Sequence, residues 1–158
     1  MKTAIIYYSL DGNCALIAEE IKTALNADII SLHTTDEKKR SGISKFFWSF
    51  SLMVKKNPPL KPYTFDPSAY DLIIIGSPVW AAAPASPLKT FISQSKITGK
   101  KIALFVCHAG GMGKVFEEFK TMFPGNDVIG EIDFNVPAKK NSEEIKQQIA
   151  QWIKRLQD

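Results

Sequence analysis

Short apolar runs of strand length alternate along this chain with segments whose apolar residues recur at helical spacing. The predicted strands are rich in β-branched and aromatic residues and comprise Thr3–Tyr8, Asp28–Leu32, Tyr70–Ile75, Lys101–Cys107 and Val128–Phe134. The predicted helices are Ala15–Leu25, Pro87–Ser95, Val115–Phe123 and Ser142–Leu156. This alternation predicts an α/β protein with a five-stranded parallel sheet and helices on both faces.

The length of 158 residues predicts a single domain that spans 1–158. Because crossovers between parallel strands are right-handed, five such strands give a three-layer doubly wound sheet. Sheets of this kind bind ligands beyond the carboxyl ends of their strands, where the strand order reverses. We therefore expect the functional residues in the loops after the first, third and fourth strands.

The composition excludes several classes of protein. Apolar residues make up 45% of the chain and charged residues 23%, as in globular proteins, which excludes disorder and collagen-like repeats. The apolar runs are far shorter than the roughly 20 residues that span a bilayer, and no export signal is visible. Cys14 and Cys107 lie far apart and form no Cys-x-x-Cys pair. This cysteine usage predicts a cytoplasmic protein with no metal site.

The formal net charge of +4 is unevenly distributed. Residues 36–61 carry a net charge of +5, and the rest of the chain sums to −1. This basic segment is either a solvated face or a surface that attracts an anionic partner or a membrane. It also contains aromatic residues, but no recognition motif for nucleic acid accompanies them, so we predict no nucleic-acid partner.

Each of the three expected loops has an unusual composition. Ser9–Cys14 combines a hydroxyl, a glycine and a helix start, which favours an anion site, although an ordinary turn capped by Asp11 has the same features. Gly76–Pro84 places Trp80 among small residues and prolines, either to stack on a planar ligand or as a packed surface aromatic. Cys107–Lys114 contains three glycines, which allow close backbone approach to a ligand or simply a turn.

Together these loops resemble those of the flavodoxin family. Ser9–Cys14 is similar to its phosphate loop, Gly76–Trp80 to the loop over one face of the flavin, and His108–Gly113 to its third flavin loop. The resemblance implies a flavodoxin-like fold with strand order 2-1-3-4-5, non-covalent FMN, and electron or hydride transfer. The candidate cofactor-binding residues are Ser9, Leu10, Asp11, Gly12, Asn13, Cys14, Ser77, Pro78, Val79, Trp80, Ala81, His108, Ala109, Gly110, Gly111, Met112 and Gly113.

The resemblance also implies a role for each loop. The phosphate would be held by four residues of the first loop, namely Ser9, Gly12, Asn13 and Cys14. Trp80 would stack on the isoalloxazine ring, Pro78 and Val79 would offer backbone groups to its polar edge, and the loop 108–113 would meet its pyrimidine side. His108 would either stabilise a negatively charged reduced flavin or hydrogen-bond within its own loop.

Two residues depart from the family pattern. Asp11 stands where threonine is usual, and a carboxylate about 5 Å from a phosphate charge costs roughly 3 kcal/mol at an effective dielectric constant of about 20. Its side chain would also compete with phosphate for the N–H groups at the helix start. Cys14 replaces a threonine hydroxyl with a weaker thiol donor.

Three functions remain open from the sequence. The first is an electron carrier that docks on redox partner proteins, and the second is an NAD(P)H-dependent reductase of quinones or similar small acceptors. The third is a flavin-free binding module. A response-regulator receiver is excluded, because Tyr7–Ser9 and Gly76–Ser77 stand where its acidic residues would be. Residues 41–59 contain apolar residues at helical spacing, which predicts a helix packed on the sheet. That stripe does not explain Trp48, Leu52 and Met53, which would cover the flavin, line a pocket or dock a partner.

Overall fold

The structure is a computed structural model, and it describes residues 1–37 and 57–157. Most of the basic and aromatic segment 41–59 lies outside the described residues. The interpretation of that segment as a helix, and the roles considered for Trp48, Leu52 and Met53, therefore stay predictions from the sequence.

Five strands of the described chain form one parallel sheet; they are β1 (Thr3–Tyr7), β2 (Asp28–Ser31), β3 (Leu72–Trp80), β5 (Lys101–His108) and β6 (Asp127–Asn135). Their order across the sheet is β2-β1-β3-β5-β6. A two-residue strand, β4 (Ala83–Pro84), pairs antiparallel with the end of β3. With this short strand set aside, the order is the predicted 2-1-3-4-5, and the flavodoxin-like α/β prediction is confirmed.

Helices cover both faces of the sheet. They are α1 (Asn13–Leu25), α2 (Ser86–Ser95), α3 (Val115–Thr121) and α4 (Ser142–Gln157), with short 3-10 helices at Pro67–Ala69 and Pro137–Lys139. Across residues 1–37 and 57–157, every helix is too short or too polar to cross a membrane.

Alternate residues of the central strands enter two separate apolar layers. In β5, Leu104 and Val106 pack with the apolar residues of α2 and α3, whereas Phe105 and Cys107 pack with those of α1 and α4. Because both faces of these strands are buried, their sequences are continuous apolar runs without the polar alternation of a half-exposed strand.

The third strand is longer than the sequence predicts. Its expected end at Ile75 is wrong, because Gly76, Ser77 and Pro78 continue the ladder opposite Phe105, Val106 and Cys107. Gly76 is required there, since a Cβ atom at that position would lie 2.0 Å from Cζ of the Phe105 ring. Gly76 therefore leaves room for the Phe105 ring within a continuing strand, although glycine and proline usually end a strand.

Candidate functional site

A cleft opens beyond the carboxyl ends of β1, β3, β5 and β6. Among the residues that the structure describes, nine line it, namely Asp11, Asn13, Pro78, Val79, Trp80, Cys107, His108, Ala109 and Val136. All three predicted loops contribute to this lining. The cleft also lies where the sheet reverses its strand order, next to β1 and β3, as expected for a doubly wound fold.

The first loop binds its own backbone N–H groups. Ser9 Oγ accepts a hydrogen bond from the Gly12 N–H at 3.2 Å. Asp11 Oδ1 accepts from the Asn13 N–H at 3.1 Å, and Asp11 Oδ2 accepts from Asn13 Nδ2 at 2.8 Å. Gly12, with φ 91°, occupies the cap position of α1 and has no side chain to cap the helix. A carboxylate therefore already lies at the start of α1, where an anion is favoured.

Cys14 does not line the cleft. Its side chain is completely buried in the apolar layer beneath α1. Burial, and next the neighbouring Cys107 thiol, raise the pKa of Cys14 well above its usual range. The thiol therefore stays protonated and faces the core, so it does not replace the hydroxyl donor that the family pattern places at this position.

The second loop is a tight hairpin between β3 and β4. Trp80 pairs with Ala83, and the two residues between them, Ala81 and Ala82, have φ angles of 49° and 62°. Positive φ at both central residues is typical of the type I′ turn, which matches the twist of a two-stranded ribbon. Trp80 stands immediately before this turn and lines the cleft.

Two contacts hold this hairpin in place. Ser77 is buried, and its Oγ donates to the Pro78 carbonyl at 2.8 Å and accepts from the Ala85 N–H at 2.9 Å. The half-buried Trp80 ring meets the buried Tyr8 ring edge-on, with centroids 5.6 Å apart and an interplanar angle of 82°. Ser77 thus ties the two arms of the hairpin together and is not among the residues that line the cleft.

The third loop begins with a histidine–aspartate pair. His108 Nε2 lies 2.9 Å from Oδ2 of Asp133 on β6, and because an ionised carboxylate only accepts hydrogen bonds, Nε2 donates. Nδ1 of His108 is buried and has no hydrogen-bond partner in the part of the chain that the structure describes. Beyond it, residues 109–114 are exposed, and Gly113 passes so close to Ala82 that a Cβ atom would lie 2.5 Å from the Ala82 Cβ.

Seven of the predicted residues line the cleft, namely Asp11, Asn13, Pro78, Val79, Trp80, His108 and Ala109. The other ten lie in the same loops but outside the lining; they are Ser9, Leu10, Gly12, Cys14, Ser77, Ala81, Gly110, Gly111, Met112 and Gly113. The sequence analysis missed Cys107 and Val136. Val136 follows the fifth predicted strand, whose carboxyl end also lies at this edge of the sheet. The same carboxyl-end rule, applied to that strand, would have predicted Val136 as a lining residue.

A doubly wound sheet with this order, a helix start whose N–H binds a carboxylate and an aromatic hairpin at the cleft define the class of flavodoxin-like α/β proteins. The family model described as flavodoxin matches residues 2–156. The chain belongs to the flavodoxin family.

Solved structures agree with this assignment. A flavoprotein from Lactobacillus acidophilus NCFM, crystallised in complex with FMN, is 27% identical, with a TM-score of 0.73 over 96% of this chain and 98% of its own. The apo form of the flavoprotein from the same organism matches with 27% identity and a TM-score of 0.64 over 88% and 95% of the two chains. Oxidised flavodoxin 2 from Bacillus cereus shares the fold, with 20% identity and a TM-score of 0.60 over 99% and 97%. No curated protein matches the chain.

Proposed function

We propose that this protein is an FMN-binding electron carrier that passes electrons between protein partners, and that residues 1–158 form one flavodoxin domain. The observation that carries this proposal is the composition of the cleft beyond the carboxyl ends of the strands. A helix start that already binds a carboxylate lies at one end of the cleft, and the Trp80 hairpin lies along it. FMN combines the two groups that such a cleft suits, an anionic phosphate and a planar aromatic ring.

The residues present fit this cofactor. The Asp11 carboxylate acts as a stand-in anion, because it accepts the Asn13 N–H that would otherwise bind phosphate. Gly12 and Asn13 would hold the phosphate, Trp80 would stack on the ring, and the backbone of Val79 and Ala109 would meet the polar edge of the ring; Pro78 has no N–H, and its carbonyl already accepts from Ser77. Bound FMN supplies reversible electron transfer, and the protein residues position it and exclude water from one face.

Electron carriage is favoured over hydride transfer from NAD(P)H by the charge of the lining. No lysine or arginine lines the cleft within the described residues, so no basic side chain is seen there for a nicotinamide-nucleotide phosphate. The basic segment 36–61, with its net charge of +5, would attract an acidic partner protein, but it is the opposite of the acidic face that the flavodoxin resemblance leads us to expect, so it counts against the carrier. The cysteine usage supports a cytoplasmic location.

One observation favours the alternative, an NAD(P)H-dependent reductase of quinones or similar small acceptors. His108, held by Asp133, lies on the cleft and is a side chain that can transfer a proton to a reduced acceptor. Steady oxidation of NADPH in the presence of a quinone would support this alternative. Rapid reduction only through a partner reductase would support the carrier.

The first experiment is the visible absorption spectrum of the purified protein, recorded before and after addition of FMN and desalting. Retained flavin bands with quenched fluorescence are expected, because Trp80 would stack on the ring. The matched control is Trp80→Phe, which keeps an aromatic face at the same place. A protein that stays colourless after reconstitution would contradict the proposal and favour a flavin-free binding module.

A further inference from the structure

The turn that leaves β6 holds a strained residue. Val136 has φ 39° and ψ 62°, in the left-handed region. For a β-branched side chain this conformation is a genuine outlier. Pro137 adds to the strain, because a residue before proline is pushed toward extended conformations. Glycine would adopt the same backbone at no steric cost.

The other described non-glycine residues with positive φ lie in ordinary positions for that conformation. Asn26 and Lys96 end α1 and α2, and Ala81 and Ala82 form the type I′ turn. Val136, by contrast, precedes a 3-10 helix, where the residue is normally extended. No helix end or hairpin geometry therefore requires the strain at Val136.

Contacts from two other cleft loops hold the strained turn. The Val136 N–H donates to the His108 carbonyl at 2.9 Å, and the Ala138 N–H donates to Asn13 Oδ1 at 3.1 Å. Within the turn, the Lys139 N–H donates to the Val136 carbonyl at 3.0 Å. The turn is thus fixed between the phosphate loop and the start of the third loop.

The half-buried Val136 side chain lies in the cleft lining between these two anchors. Strain in a backbone persists where the surrounding structure over-determines it, and such positions cluster at ligand sites. We propose that Val136 is a cofactor-contact residue whose side chain packs on the ribityl chain of FMN, between the phosphate near Asn13 and the ring near Trp80. Asn13 Oδ1 accepts from the Ala138 N–H and so also holds the turn that carries Val136. The inference rests on the proposed function.

The test measures thermal stability without FMN and affinity for FMN separately, on the chain of residues 1–158. Val136→Gly removes both the strain and the side chain, so the thermal midpoint without FMN should rise by about 2–4 °C. Its dissociation constant for FMN should rise about tenfold, because an apolar contact is lost. Val136→Ala keeps the restricted backbone and loses two methyl groups, so its FMN affinity should also fall. A flavin fluorescence titration measures both affinities.

Lys96→Gly is the matched control, because it relieves a positive φ of 48° at the end of α2, away from the cleft. Its FMN affinity should stay within about twofold of wild type. The proposal is supported if Val136→Gly has a higher thermal midpoint and a weaker FMN affinity than wild type while Lys96→Gly keeps its FMN affinity. Wild-type affinity in both Val136 variants, or a lowered thermal midpoint in Val136→Gly, would overturn it. A wild-type protein that binds no FMN would instead refute the proposed function.

Discussion

The two sides of the cleft differ in what their polar groups already bind. On the hairpin side, Ser77 satisfies the Pro78 carbonyl and the Ala85 N–H, and the sheet ladder reaches as far as Pro78. The Trp80 ring is braced against Tyr8. On the side of the first loop, Ser9–Cys14, the Asn13 N–H that the phosphate of FMN would need under the proposed function is taken by the loop's own Asp11. The polar groups of the hairpin are thus satisfied within the hairpin, whereas the proposed phosphate site is occupied by a residue of the chain.

This difference predicts how each side contributes to binding. A rigid aromatic surface gains contact with a ring at little cost in conformational entropy. At an anion site that already holds a carboxylate, FMN gains only the difference in binding free energy between its phosphate and that carboxylate. We therefore expect the hairpin to supply most of the binding free energy for FMN and the phosphate loop to limit it.

The largest effect should come from breaking the base of the hairpin side. In Gly76→Val the new Cβ atom would lie 2.0 Å from the buried Phe105 ring, so the ring must leave its place in the core. We expect the free energy of unfolding to fall by about 3 kcal/mol. The urea midpoint measures this loss. Gly110→Ala is the control, because a Cβ atom at Gly110 has no neighbour within 4 Å. Equal urea midpoints for the two variants would contradict the close contact between Gly76 and the Phe105 ring.

The second effect concerns the ring contact itself. Trp80→Ala should weaken FMN binding by about 2 kcal/mol, roughly 30-fold, because the stacking surface is removed. Trp80→Phe should lose much less. Titration of flavin fluorescence measures both affinities, and quenching on binding should be strong only where an aromatic side chain remains. If Trp80→Ala binds FMN like the wild type, the hairpin is not the ring site.

The same contrast explains what could be predicted from the sequence. The fold follows from apolar periodicity, because strands buried on both faces leave continuous apolar runs, and the three loops follow from the carboxyl-end rule. The predicted strand end at Ile75 is wrong because the ladder continues through Gly76 to Pro78, and local propensity does not record the room that Gly76 leaves for the Phe105 ring. The inward direction of Cys14 and the left-handed Val136 depend on tertiary contacts with Cys107, His108 and Asn13, which no local pattern specifies.

A smaller effect should follow from loosening the hairpin without touching its ring. Ser77→Ala leaves the buried Ala85 N–H without a partner, which should cost about 1–2 kcal/mol of unfolding free energy. Ser93→Ala is the control, because the Ser93 hydroxyl donates only to the Thr90 carbonyl one turn earlier in α2. Thermal unfolding of both variants measures the difference. A Ser77→Ala protein as stable as Ser93→Ala would show that the hairpin does not depend on this anchor.

The smallest effect should come from the phosphate loop, and its sign is opposite. In Asp11→Thr the side chain no longer carries the charge that repels phosphate, so FMN should bind more tightly by about 1 kcal/mol. The unscreened repulsion of roughly 3 kcal/mol is reduced because Asp11 is exposed to solvent. Asp11→Asn removes the charge but keeps the competition for the Asn13 N–H, because the amide oxygen of the new side chain can still accept that hydrogen bond. Riboflavin, which has no phosphate, should bind wild type and both variants equally. If Asp11→Thr tightens riboflavin as much as FMN, the gain comes from loop shape, and the carboxylate does not oppose the phosphate.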